Sequence, residues 1–301
     1  MKFIVLLISL LLQRETRQKD YQRNREWFVS LSKVFNPVGR SARAQVAVYV
    51  LSVVMPALVL ALVLMNMKGF VWGLVSIVLQ IALFLYVLGR DDVTTRFREY
   101  QACWKAADYQ GAYHCAQRDM GIERDLHDSK SEVVTANNRG QDAELLKTCV
   151  EDPKTLHDKV CETVVLAWFS RFFVLVFWFV IGGVPLSLAS LLTYWYAQEY
   201  KFSWAQSLVS AMEWIPSRLL ALTFSLAGDF TAKFPLALKF LMDFTTPAQQ
   251  AVVETARSGT LEQFDVSSAN QQLEELNQML YRSAVIWLVI IGAFTLFGSL
   301  S

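Results

Sequence analysis

The chain has 301 residues, enough by length for two soluble domains, yet 54 % of them are hydrophobic and only 18 % charged, against roughly 25 % charged in an average soluble protein. Mean hydropathy is +0.31, and nine Trp, ten Tyr and twenty Phe add to the apolar load. The apolar residues come in long blocks, which argues against disorder and against a disulfide scaffold. With 28 Lys and Arg against 27 Asp and Glu, net charge +1, no global field points to nucleic acid. The composition predicts an all-α polytopic membrane protein, a helical bundle with broken or re-entrant helices and a small helical soluble domain.

Residues 1–88 open with Phe3 to Leu12, a short apolar run that resembles a signal peptide but lacks a small-residue cleavage site before Gln13-Arg14-Glu15; it reads as an uncleaved half-span. A basic arm follows, with Arg14, Arg17, Lys19, Arg23, Arg25, Lys33, Arg40 and Arg43, which the Lys/Arg bias of short loops places in the cytoplasm. Crossing the bilayer takes about 20 mostly apolar residues. Val46 to Met67, kinked at Pro56, and Phe70 to Leu88 each meet this, and Lys68-Gly69 between them predicts a tight helical hairpin.

Two crossings return the chain to the cytoplasmic side, so 89–160 reads as a cytoplasmic helical domain. Phe97, Tyr100, Trp104 and Ala107 share one helical face. Asp152-Pro153 reads as a helix start that runs into the next span. All four cysteines (Cys103, Cys115, Cys149, Cys161) and His114, His127 and His157 lie in or beside this domain without close metal-ligand spacing. Free packing thiols are expected, with no metal and no cofactor.

In 161–227, Thr163 to Ile181 reads as a span with Arg171 near its middle, ended by Gly182-Gly183 and Pro185. Val184 to Ala197 closes on Tyr194-Trp195-Tyr196, an interfacial aromatic signature. Ala205 to Ala227 contains Glu213, Pro216 and Arg218. Both pieces read as broken or re-entrant helices. In 228–301, Thr246-Pro247 opens a helix that Gly259 closes, Ser268 with Gln271 forms a capping box, and Ala284 to Leu300 is the last span. No internal repeat is evident.

The strongest local signal is Met212-Glu213-Trp214-Ile215-Pro216-Ser217-Arg218-Leu219. Pro216 withdraws the helical donor of the Met212 carbonyl, and Trp214 and Arg218 are spaced to stack. Glu213 is the nearest carboxylate to Arg218 in sequence, with Glu162 and Glu199 as rivals. Ionisable groups at membrane depth are candidates for function; alternatively Glu213, Arg218 and Arg171 neutralise one another as internal glue. The candidate membrane-embedded polar site is therefore Glu162, Arg171, Glu213, Trp214, Pro216 and Arg218. No P-loop, dinucleotide fingerprint, nucleophile elbow or zinc-protease signature occurs.

The octapeptide and Thr223-Phe224-Ser225-Leu226-Ala227-Gly228 after it resemble the acidic–Trp–aliphatic–Pro–x–Arg–Leu segment of the AmpE family, bacterial inner-membrane proteins linked to β-lactamase induction. That family is related to the CobD/CbiB-type adenosylcobinamide-phosphate synthases. The resemblance extends to Phe169-Ser170-Arg171-Phe172-Phe173, to Phe177 through Gly183 and to Tyr194-Trp195, in the same order, and so covers most of the chain. The synthase's Glu-Asn-x-x-Asp-Gly stretch is here Glu162-Thr163-Val164-Val165-Leu166-Ala167, which keeps the Glu alone. An Asn–Asp motif before the Tyr194 region is also missing, and a polar helix around Gln271 stands where a Gly-rich tail belongs. The resemblance implies a shared scaffold with lost chemistry. It implies a non-catalytic modulator of cell-wall-stress signalling, whose partners are the lipid bilayer, a protein meeting the cytoplasmic domain and a cell-wall-derived small ligand. The rival expectations are an altered synthase site built on Glu162, Glu213 and Arg218, and a small-solute transporter.

Overall fold

The computed structural model describes residues 2–15, 27–30, 41–67, 70–88, 93–106, 108, 111–112, 114–116, 153–258 and 269–297. Among these the chain is helical throughout, without a strand. Three helices are long and apolar enough to cross a membrane: Arg43–Asn66, Leu156–Tyr200 and Asn270–Thr295. The Val75–Leu88 stretch is a shorter apolar helix.

Helix α1 (Lys2–Glu15) packs along α4 (Phe70–Leu88) and touches the last helix. The first long apolar helix is α2 (Ala42–Tyr49) joined to α3 (Met55–Asn66) by a π-helical turn, Val50–Val54. Pro56 explains the wide turn: its ring would crowd the carbonyl four residues back and it offers no N–H. Ser52 Oγ meanwhile donates to the Val48 carbonyl at 2.7 Å. Helices α3 and α4 both pack on the long helix that follows Trp168, and α4 packs on α1 as well. The Lys68-Gly69 link lies outside the described residues.

Helix α5 (Val93–Lys105) buries Tyr100 and Trp104, as the helical spacing expected; Ala107 lies outside the described residues, as does the Phe97 side chain. These rings, with Ala112 and Ala116, join the same apolar cluster as Leu156, Val160 and Phe169. The described parts of 89–160 thus join the main apolar cluster. Cys103 and Cys115 lie with their sulfurs 3.8 Å apart and are not joined as a disulfide, while Cys161 is buried beside His157 Nε2 at 3.6 Å.

Helix α6 (Pro153–Trp168) begins on its proline, passes through a second π-helical turn (Phe169–Phe173) and continues as α7 (Val174–Tyr200). At Gly183 the backbone leaves the helix with φ 71° and ψ −163°, a conformation that costs an L-residue but not glycine. The chain there turns back sharply. Ser187 Oγ donates to the Leu175 carbonyl at 3.0 Å, two residues that a straight helix would hold about 18 Å apart. The Gly-Gly-x-Pro signal thus marks a helical reversal. Trp195 and Tyr196, expected at a lipid interface, are instead 2 % and 0 % exposed. They pack against Phe28, Tyr49, Tyr200, Phe202 and Trp204, and the Tyr196 hydroxyl donates to the Gln45 carbonyl at 3.1 Å.

The remaining helices are α8 (Ser203–Ala227), α9 (Phe230–Met242), α10 (Ala248–Arg257) and α11 (Ala269–Leu296). Thr246-Pro247 does precede a helix; Gly259 and Ser268 lie outside the described residues. The expected break at Pro216 is absent: α8 runs through it unbroken. Proline's fixed φ suits a helix, so its cost is one lost hydrogen bond and local crowding. Packing of α8 against α7, α9, α10 and α11 holds both halves in line.

Candidate functional site

An unbroken α8 decides where its polar groups point. Residues five apart on a helix are about 140° apart around the axis, whereas residues four apart are about 40° apart. Glu213 and Arg218 therefore diverge, and Trp214 and Arg218 align. The Arg218 guanidinium carbon lies 4.8 Å from the Trp214 ring centroid, and Trp214 also stacks on Phe244, 5.0 Å centre to centre at 11°.

Arg218 is only 2 % exposed. Its Nη2 donates to two main-chain carbonyls in the turn after α9, Asp243 at 3.0 Å and Thr246 at 2.8 Å. Nη1 donates to Ser217 Oγ at 2.9 Å, and that hydroxyl in turn donates to the Trp214 carbonyl at 2.7 Å. Arginine was expected to require an anion or a carbonyl, and carbonyls fill the role. The expected Glu213–Arg218 ion pair does not form. Glu213, 3 % exposed, instead accepts from Gln249 Nε2 of α10 at 3.3 Å.

The other two candidates lie apart from this contact. Arg171, in the second π-helical turn, shares a narrow cleft with Glu213, lined also by Ser170, Ser190 and Tyr194 where the α7 reversal faces α8. Glu162 pairs with Lys159 at 3.0 Å on half-exposed helix surface and borders a separate cavity with Cys161, Arg257 and Gln272. The six residues expected to form one site are thus distributed over three places.

A second clamp escaped the sequence reading. Lys233 of α9 is 1 % exposed, and its Nζ donates to the carbonyls of Thr255 (3.1 Å), Ala256 (2.8 Å) and Ser258 at the end of α10. A helix C-terminus carries partial negative charge and leaves carbonyls unbonded, so an ammonium suits it. Burial nevertheless pushes the Lys233 ammonium down to about 8, with the charge of Asp229 opposing the shift. Gly228 makes room for the stem, since a Cβ there would meet Lys233 Cε at 2.8 Å. Arg257 adds an ion pair from α10 to Asp158 of α6 at 3.2 Å.

The turns flanking α9 are built alike. Asp229 Oδ1 accepts from the Thr231 amide at 3.0 Å and its hydroxyl at 2.7 Å. Asp243 Oδ1 accepts from the Thr245 amide at 2.8 Å and its hydroxyl at 2.6 Å. These donors hold both carboxyls below the usual carboxylate range, Asp243 most strongly. The signal was in the sequence: Asp-Phe-Thr occurs at 229–231 and again at 243–245, a triplet suited to side-chain-capped turns.

Fold and site together define an all-helical protein with three membrane-length apolar helices, whose Trp-Ile-Pro-Ser-Arg segment is bonded mainly to its own main chain. Comparison of the chain with family models, with curated proteins and with solved structures returns no match.

Proposed function

We propose that this chain is a non-catalytic, multi-pass protein of a bacterial inner membrane that modulates cell-wall-stress signalling and β-lactamase induction. The resemblance to the AmpE family supplies the biology, and three apolar helices of membrane length are consistent with it. The observation that carries the non-catalytic reading is the engagement of Arg218 by main-chain carbonyls. Both hydrogens of its Nη2 are committed to the Asp243 and Thr246 carbonyls, so the arm of the guanidinium that would grip a carboxylate or phosphate is occupied, while Nε is buried without a hydrogen-bond partner among the described residues. Glu162, which a synthase-type site would need close to Glu213 and Arg218, borders a different cavity. In this reading the bilayer surrounds the helices, a protein partner meets the cytoplasmic segment, and a cell-wall-derived small molecule is the signal. Deletion in a host with inducible β-lactamase tests it. Altered induction or altered muropeptide pools supports the reading, and unchanged induction with unchanged pools removes it.

A further inference from the structure

Helix α9 is inside out by the standards of a water-facing helix. Its inward stripe is Lys233, Ala237 and Phe240, exposed by 1 %, 0 % and 3 %. Its outward face carries Phe230, Phe234, Leu238 and Leu241, each exposed by more than a third, with Met242 and Phe244 beyond. Phe230 and Phe234 stack 4.6 Å apart, making a continuous apolar plate. A helix that turns its buried lysine onto main-chain carbonyls and its phenylalanines outward is built for an apolar surrounding.

The ends of α9 fix its attitude. Asp229 lies exposed at one end and Asp243 partly exposed at the other, so both ends reach a polar medium. Thirteen residues give a helix about 20 Å long, too short to reach water on both sides of a core about 30 Å thick. Both ends therefore lie on one side.

Depth comes from a neighbouring helix. Trp287 of α11 donates to Thr223 Oγ1 near the end of α8 at 3.0 Å. The polar stretch Asn270–Arg282 precedes Trp287, and the apolar run starts at Ala284. Trp287 thus stands at the edge of the apolar run, the level where Trp is enriched in membrane proteins. Thr223 lies at that level too, and α9 starts seven residues later at Phe230.

We propose that α9 lies in the plane of the membrane at the headgroup–acyl boundary of one leaflet, with Phe230, Phe234, Leu238 and Leu241 turned into the lipid chains. Exposed Lys239 lies near one end, within reach of lipid phosphates. This surface takes a phospholipid bilayer, and the two cation clamps, Arg218 and Lys233, fix the helix against α8 and α10 so that the apolar face stays outward. The inference rests on the membrane reading given above and adds an element that is not one of the three membrane-length helices.

The test is nitroxide labelling at 234, 238 and 241, one site at a time, in a full-length chain with its four cysteines replaced by alanine, reconstituted in phosphatidylcholine–phosphatidylglycerol nanodiscs. All three labels should collide more with oxygen than with a water-soluble nickel chelate, and at similar depth. A preference for nickel, exclusion of both reagents by a covering protein or second copy, or a graded depth spanning the roughly 10 Å between 234 and 241 on an upright helix would each overturn the proposal. A label at Val289, exposed on α11, separates the two failures: lipid contact there with water contact at 234 removes only this proposal, whereas water contact at both removes the membrane reading. On the unaltered chain in nanodiscs, hydroxyl-radical footprinting should leave Phe230, Phe234 and Met242 unmodified, and modification at solvent-exposed rates counts against the proposal independently of the substitutions.

Discussion

Arg218→Ala is the perturbation with the largest expected effect on stability. It removes two charge-assisted hydrogen bonds to the Asp243 and Thr246 carbonyls and one to Ser217. Bonds to a charged group are worth about 1.5–3 kcal/mol each. Loss of the guanidinium from over Trp214 adds about 1–2 kcal/mol. Relief of the buried charge's desolvation offsets several kcal/mol of this total, which leaves a net loss of roughly 3–5 kcal/mol. Arg218→Lys keeps a charge but can serve fewer carbonyls and loses the planar stack, so it should fall between wild type and alanine. Arg218→Met, which keeps the stem and drops every donor, should resemble alanine. The assay is thermal unfolding in detergent, read by a thiol-reactive dye as buried Cys161 becomes accessible. Equal midpoints for wild type, Ala and Met would refute the clamp and leave Arg218 without a structural role.

Gly183→Ala forces a side chain into a left-handed backbone and should cost about 1–3 kcal/mol, seen as a lower melting temperature and a weaker α7 reversal. Trp287→Phe removes the donor to Thr223 and should cost about 1 kcal/mol by the same unfolding assay. Lys233 has its folded pKa lowered to about 8 from 10.5, so between those values the unfolded chain binds more protons and stability rises with pH; Lys233→Met should abolish that rise in melting temperature, and an identical alkaline profile would contradict it. The lowered carboxyls of Asp229 and Asp243 work at the other end: their stabilisation is complete above about pH 4, the ordinary Asp value, and declines as pH falls further, so Asp243→Asn should blunt the acid loss. Mild oxidation should join Cys103 to Cys115, whose sulfurs are 3.8 Å apart, and peptide mapping that finds Cys103 linked to Cys161 instead would contradict the fold around α5.

Hydropathy made the long apolar helices legible, because a run such as Met55 to Met65 admits no other disposition. Gly182-Gly183 with Pro185 marked the α7 reversal, since only glycine takes the backbone angles found there. Pro216 misled for the opposite reason: a proline weakens a helix locally, but whether the helix breaks depends on the neighbours packed around it, which the sequence does not display. The same error created the Glu213–Arg218 pair, since nearness in sequence implied nearness in space only if the helix broke. Trp195 and Tyr196 read as interfacial because aromatic clusters favour membrane edges, yet Phe28, Gln45 and Tyr49, distant in sequence, pack over them. The Lys233 clamp depends on carbonyls more than twenty residues away, and main-chain acceptors leave no mark in a sequence.

The central claim is that Glu213 and Arg218 of α8 serve α10 and main-chain carbonyls rather than each other. A double-mutant cycle with Glu213→Gln and Arg218→Ala tests it most directly, by unfolding free energies of the two single variants and the double. The account predicts additivity within about 0.5 kcal/mol, as for groups with no shared partner. A coupling energy of about 1.5 kcal/mol or more would show that Glu213 and Arg218 are an ion pair after all, and would contradict it.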